Sequence, residues 1–187
     1  VGQDWSLGQF FGGDRRDFPV LRHIVENLRP AGTALEFGVA EGTSLAIIAN
    51  HMPGRTIGFD SFLGLPEDWG PYPKGSRACL QPDVPGARIV VGWFADTLPR
   101  FDFRAVDPIG LVHLDADLYN STKTVLEYAG PWLGEGCYIV FDEWHGNPWH
   151  SEHEEKAWKD YANSTGVTWD VIGHDQEAWA IRLTEVP

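Results

Sequence analysis

The stretch Thr33-Ala-Leu-Glu-Phe-Gly-Val-Ala-Glu-Gly-Thr-Ser44 constrains this chain more than any other. Thr33 to Phe37 is short and mostly apolar, with Pro30 and Gly32 behind it and Gly38 ahead, which is how a buried parallel strand reads. Gly38 and Gly42 then allow a tight turn and a close approach of backbone. Thr43 or Ser44 can cap the helix expected from Ser44 to Met52, which Pro53-Gly54 stops. A strand, a glycine loop and a helix start leave unpaired N–H groups pointing outward, so the turn tolerates an anion. Its spacing, Glu36-x-Gly38-x-x-x-Gly42, is neither the Gly-x-Gly-x-x-Gly of dinucleotide binders nor a phosphate loop ending in Gly-Lys-Ser/Thr.

The rest of the chain repeats this unit. Arg55 to Asp60 is a second short strand that ends on an acid. In nucleotide-binding α/β folds that position meets a ribose diol, because a carboxylate accepts two hydroxyl protons; the plainer alternative is a surface acid after a strand. Arg88 to Gly92 is a third strand, followed by Trp93-Phe94 and by Asp96, which caps a short helical turn in this reading. Ile109 to Asp115 and Cys137 to Asp142 are further strands, each ending in acid. Tyr119 to Leu133 reads as a helix broken by Gly134-Glu-Gly136, and Glu152 to Asn163 as a charged helix with its polar face in water. Val167 to Ile172 and Ala178 to Leu183 read as an antiparallel hairpin. Ahead of the glycine loop, Phe18 to Leu28 carries apolar residues at helical spacing, and Val1 to Gly13 reads as an arm or lid. Residues 61–86 show no apolar period and are proline-rich, the mark of a functional or mobile loop.

Five strand–helix units and a terminal hairpin argue a three-layer, doubly wound α/β sandwich, in which ligands bind beyond the strands' carboxyl ends. With 187 residues the chain reads as one domain, 1–17 forming the arm and 18–187 the core. Glu36, Asp60, Asp115 and Asp142 all fall at expected strand ends. Together with Glu143 they form an acidic rim that is repulsive unless cations share it.

Charge and cysteine content narrow the ligand. A net charge of −13 argues against a nucleic-acid partner, since phosphate binding needs a basic face. No apolar run approaches about 18 residues, so no membrane span is expected. Val1-Gly-Gln-Asp-Trp5 lacks the basic-then-apolar form of a signal peptide. The two cysteines are far apart and form neither a metal spacing nor a disulfide framework, which makes a reducing, cytoplasmic setting the default. A small molecule is the expected partner.

Five motifs in this order carry a family resemblance. Leu35-Glu-Phe-Gly-Val-Ala-Glu-Gly-Thr-Ser44, Gly58-Phe-Asp-Ser-Phe-Leu-Gly-Leu-Pro66, Gly92-Trp-Phe-Ala-Asp-Thr-Leu-Pro99, His113-Leu-Asp-Ala-Asp-Leu-Tyr-Asn-Ser-Thr122 and Gly134 to Glu143 resemble the macrocin O-methyltransferases. These are class I, S-adenosylmethionine (SAM) dependent enzymes that methylate sugar hydroxyls of natural products. The resemblance implies a Rossmann-like, seven-stranded, mostly parallel sheet whose last strand is antiparallel. It implies that Glu36, Gly38 and Ser44 lie along the methionine end of SAM and that Asp60 takes the ribose hydroxyls. Ser61, Trp93 and Phe94 would flank the adenine, although Trp93 and Phe94 suit core packing as well. Asp115 would border the cofactor and, with Asp142 and Glu143, hold magnesium as related catechol-type enzymes do. Glu143 stands where Asp or Asn is usual, and Leu118 where those enzymes place a lysine base.

The expected activity is therefore magnesium-assisted O-methylation of a small hydroxylated acceptor. A bound metal would lower the acceptor hydroxyl's pKa, and in-line positioning would supply much of the rate. Asp117 and His145 are the candidate general bases; an imidazole with an ordinary pKa of about 6.5 suits that work. His145, His150 and His153 lack the thiolates or helical spacing of a zinc site. Two other readings stay open: an NAD(P)-dependent oxidoreductase, against which the glycine spacing counts, and a SAM-binding partner subunit without chemistry. A homo-oligomer is compatible with all three.

Overall fold

The computed structural model describes residues 3–106 and 108–186; Val1, Gly2, Asp107 and Pro187 lie outside the described residues, and with them the first two positions of the expected arm. In chain order the strands are β1 (Gln9–Phe10), β2 (Thr33–Phe37), β3 (Thr56–Asp60), β4 (Ala87–Val91), β5 (Ile109–Leu114), β6 (Leu133–Phe141), β7 (Thr168–His174) and β8 (Trp179–Glu185). They form one sheet in the order β1-β7-β8-β6-β5-β2-β3-β4. The strands from β6 through β5, β2 and β3 to β4 are parallel, while β8 runs antiparallel to both β6 and β7. Chain order reverses between β2 and β5, the switch point beside which such sheets take their ligands.

The expected seven strands are present, and an eighth joins them. Gln9 and Phe10 of the expected arm pair in parallel with Gly173 and His174 of β7, extending that edge. Two residues in the middle of the arm are thus sheet.

Helices α1 (Pro19–His23) and α2 (Thr43–His51) cover one face, and α4 (Tyr119–Ala129) and α5 (Glu154–Thr165) the other. Strand alternation separates the faces. Ala34, Leu111 and Val140 pack with Val20, Leu21, Ile24 and Ile48, whereas Leu35, Phe37, Val112, Leu114, Ile139 and Phe141 pack with Val125, Leu126, Trp158 and Trp179. Burial on both sides is why these strands read as continuous apolar runs. Among the described residues no helix is long and apolar enough to cross a membrane.

Several boundaries differ from expectation for local reasons. The helix α2 starts at Thr43, and its cap is Gly42 at φ 82°, with no side-chain cap from Thr43 or Ser44. Asp96 is not a cap either: it lies inside the one-turn helix α3 (Phe94–Thr97), entered from Trp93. The helix α4 ends at Ala129 because Pro131 cannot continue it, and Gly134-Glu-Gly136 belongs to β6. After α1 the chain widens into a π-helical turn, Ile24–Leu28, which keeps Ile24 and Val25 buried. Within residues 61–86 the only bridge among described residues is Trp69 with Tyr72.

Candidate active site

A cavity of about 950 Å³ opens beyond the carboxyl ends of the parallel strands. Its wall gathers ten of the twelve residues singled out from the sequence: Gly38, Ser44, Asp60, Ser61, Trp93, Phe94, Asp115, Asp117, Asp142 and Glu143. Glu36 and His145 are not in that wall.

The glycine loop after β2 is held by its neighbours. At Gly38 (φ 95°) a side chain is impossible, since a Cβ there would lie 1.8 Å from the carbonyl oxygen of Asp115. Ala40 takes the left-handed conformation at φ 45°, a strained state for a residue with a Cβ. Asp60 fixes it. Its Oδ2 accepts the N–H groups of Val39 (2.8 Å) and Ala40 (2.9 Å), and its Oδ1 accepts that of Phe62 (2.8 Å). The acid at the end of β3 is therefore first a clamp on the loop, and it also lines the cavity. Phe94 meets Phe37 edge-on at 5.8 Å and also lines the cavity.

Glu36 is placed otherwise than expected. It pairs in register with His113 of β5, and both side chains are fully buried. His113 Nδ1 donates to Glu36 Oε1 at 2.8 Å, and His113 Nε2 lies 3.6 Å from Asp142 Oδ1. Burial works to lower the His113 pKa, but Asp142 and Glu36 outweigh it and hold the imidazole well above its usual range. Burial raises the Glu36 carboxyl, against the pull of His113. His113 is thus buried between Glu36, to which it is hydrogen-bonded, and Asp142 on the rim. His113 was missed as a site residue; its signal was a histidine standing in an otherwise apolar strand.

The rim itself joins Asp115, Asp117, Asp142 and Glu143. Burial, then the charge of Asp142, pushes Asp115 well above the carboxylate range. Asp117, at φ 59°, is raised to about 7, by burial first and by Asp142, against the opposing pull of Arg77. Glu143 is raised to about 8 by burial and by Asp142, with Arg15 opposing. Two residues absent from the sequence reading organise this cluster. Glu154, fully buried at the start of α5, accepts the Ala116 N–H at Oε1 and the Glu143 N–H at Oε2, both at 3.1 Å. Arg15, from the turn Arg15–Asp17, donates from Nη2 to Glu143 Oε1 at 3.0 Å, with Asp142 Oδ2 at 3.6 Å, and pairs through Nη1 with Glu177.

His145 lies apart from this. Its backbone N–H donates to the carbonyl of Glu177, and its ring meets His174 edge-on at 5.3 Å, under the β7 edge. Burial, then His174, lowers its pKa. Without access to the cavity wall it is not placed to take a proton there.

Comparison with known proteins places the chain in a family. Residues 80–182, more than half of the chain, match the family described as macrocin O-methyltransferase (TylF). The demethyldecarbamoylnovobiocin O-methyltransferase of Streptomyces niveus is 35% identical over 174 residues, which cover 76% of this chain and 65% of that protein. The chain thus spans slightly less than two thirds of this relative. Among solved structures, the O-methyltransferase NovP superposes with a TM-score of 0.68 at 22% identity, over 91% of this chain and 80% of its own. Calicheamicin methyltransferase superposes with a TM-score of 0.66 at 22% identity, over 90% of this chain and 78% of its own. These two likenesses show a shared α/β methyltransferase fold.

Proposed function

The chain belongs to the macrocin O-methyltransferase family, and on that premise we propose that it transfers the methyl group of SAM to a hydroxyl of a small molecule, such as a natural-product sugar. The observation that carries this reading is the single cavity that joins two differently built halves. One half is the Gly38 loop clamped by Asp60, with Ser61, Trp93 and Phe94 beside it; the other is the acidic rim.

The first half fits SAM. Gly38 leaves the backbone bare where the methionine end would lie, Ser44 borders it, and Asp60 offers Oδ1 lone pairs to the ribose hydroxyls. Trp93 and Phe94 offer flat apolar surface to an adenine. SAM, when bound, supplies an electrophilic methyl on a sulfonium. The chain's own residues orient the acceptor and take its proton. Asp117 is the base we assign: it lines the cavity, and a carboxyl with a pKa of about 7 is poised between its two forms at neutral pH. Such a base contributes a factor on the order of 10²–10⁴.

The expected magnesium ligands fit less well. Glu143 Oε1 accepts from Arg15 and Oε2 from Asn147 (3.1 Å), while Asp142 faces His113 on one oxygen and Arg15 on the other. Among the described residues no three Asp, Glu, His or Cys side chains converge as a metal-holding group. Magnesium needs several free, octahedrally arranged oxygens, and this rim has its oxygens engaged. No step is therefore derived through a metal.

Calorimetric titration with SAM, its demethylated product and NAD, followed by a screen of hydroxylated acceptors with methyl-labelled SAM, tests the proposal. Binding of SAM but not NAD, with label transferred to a hydroxyl, is the expected result. Binding of NAD alone would restore the oxidoreductase reading. Tight SAM binding with no transfer to any acceptor would favour the partner subunit without chemistry.

A further inference from the structure

The misfit between the rim and a divalent cation has a structural cause, and it is a residue of the chain itself. Arg15 reaches into the rim from a three-residue turn that itself buries no residue, although Phe18, which follows it, packs against the core. The turn's own contacts are polar. Gln176 Nε2 donates to the Gly13 carbonyl at 2.8 Å, and the Arg15 fork spans Glu143, Asp142 and Glu177. Arg15 also lines the cavity, so the contacts that seat the turn are made at the cavity's edge. A planar guanidinium suits this place, because its fork can meet carboxylates from two elements at once.

We propose that Arg15 is the resident cation of the acidic rim, and that it and a divalent cation compete for Asp142 and Glu143. Both need the same oxygens: Glu143 Oε1 and Asp142 Oδ2 face Arg15 directly. With Arg15 seated, the turn stays closed against the cavity and the rim is neutralised without metal. With a divalent ion in place, Arg15 must leave, and the turn loses its hold on the rim while keeping its bond to Gln176, the Arg22 Nε–Asp17 carbonyl bond, the packing of Phe11 and Phe18 on either side of it and the short β1 pairing behind it. Cation choice and the seating of Arg15 are then one equilibrium. This inference rests on the rim alone, so failure to find a methyl acceptor leaves it standing.

Binding of Mn²⁺, followed by the loss of its free-ion paramagnetic resonance signal, tests the competition without any turnover assay. The proteins are the wild type, Arg15→Ala, Arg15→Gln, and Glu177→Gln, which loosens Arg15 without touching the rim. Removing the Arg15 charge should tighten Mn²⁺ by about tenfold or more. Glu177→Gln should tighten it by a smaller factor, about two- to fivefold, the range of an exposed ion pair's worth. Adding Asp142→Ala to Arg15→Ala should cancel the gain. Circular dichroism checks each fold, and Glu177→Gln keeps the test decisive should either Arg15 variant unfold. Affinities equal within about twofold in all four proteins would overturn the inference. So would the lack of a saturable Mn²⁺ site in every protein, or a gain that survives loss of Asp142.

Discussion

Glu154→Gln is the substitution that probes most directly how the two active-site loops are held. The Glu154 carboxylate accepts one N–H from Ala116, in the loop carrying Asp115 and Asp117, and one from Glu143, in the loop after β6. Glutamine has the same shape, but one acceptor oxygen becomes an NH₂ donor facing a backbone donor. A hydrogen bond to a charged group is worth roughly 1.5–3 kcal/mol, and a buried N–H left unpaired costs about 1–3 kcal/mol. An opposing effect is real. Burial, and then the charges of Asp142 and Glu143, raise the Glu154 pKa well above its ordinary value, so neutralising it relieves part of that penalty. We expect a net destabilisation of about 1–3 kcal/mol at neutral pH, or a fall in Tm of roughly 2–10 °C for a domain of this size.

Urea denaturation gives the stability, and SAM titration and turnover on a common acceptor give the site. Turnover should fall more than SAM affinity, because the SAM half of the cavity stands on β2 and β3, away from Glu154. Glu154→Ala should cost more in stability than the glutamine variant, since it orphans both N–H groups and opens a void. A glutamine variant as stable and as active as wild type would refute the clamp. It would mean that Glu154 is already protonated in the folded protein and serves only as packing.

Asp60→Ala should weaken SAM binding by about tenfold or more, since it removes both a ribose acceptor and the clamp on Val39 and Ala40; unchanged affinity in a folded variant would take Asp60 out of the site. Asp117→Asn should lower turnover by a factor on the order of 10²–10⁴ with little change in SAM affinity, and an active variant with an unshifted pH–rate profile would exclude Asp117 as the base. Asp117 (about 7) and Glu143 (about 8) keep protons in the folded state that the unfolded chain has already lost, so stability should fall as pH rises from near 4 to 8. His113, raised in the fold, acts in the same direction above its unfolded value, and urea midpoints flat or rising across pH 5–8 would contradict all three. SAM binding at pH 7 should release a fraction of a proton, seen as a dependence of binding heat on buffer, whereas the neutral demethylated product should release less.

The sheet was readable because burial on both faces leaves long apolar runs that end where the chain meets the cavity. That is why Asp60, Asp115 and Asp142 stand out: inside the core an ionisable side chain needs a partner, as Glu36 has in His113, and that need eases once a strand leaves the core. What could not be read depends on contacts remote in sequence. Arg15 and Glu143 are 128 positions apart, and nothing in Gly13-Asp-Arg-Arg-Asp17 says which acid its arginines will meet. Glu154 opens a charged helix and looked like a solvated residue, yet the helix N-terminus points its carboxylate inward. Two-residue β1 has no period to detect. The surroundings of Glu36 could not be read for a different reason: its register partner is a histidine, and the two side chains bond inside the sheet, leaving Glu36 Oε2 and His113 Nε2 without a hydrogen-bond partner among the described residues.

The acids of the rim meet basic groups supplied by the chain itself. Five acids meet there, Asp115, Asp117, Asp142, Glu143 and Glu154, against three basic groups, His113, Arg15 and Arg77. Burial first, and then mutual repulsion, raises the pKa of several of those carboxyls and so favours their protonated forms. On the proposed assignment, a sulfonium entering beside Asp117 would bring the positive charge that protons otherwise provide and would favour the ionised form of the proposed base. Methyl transfer would then turn the sulfonium into a neutral thioether while Asp117 took up the acceptor's proton. The acid-rich rim would thus hold the charged cofactor more strongly than the spent one and favour release of the product.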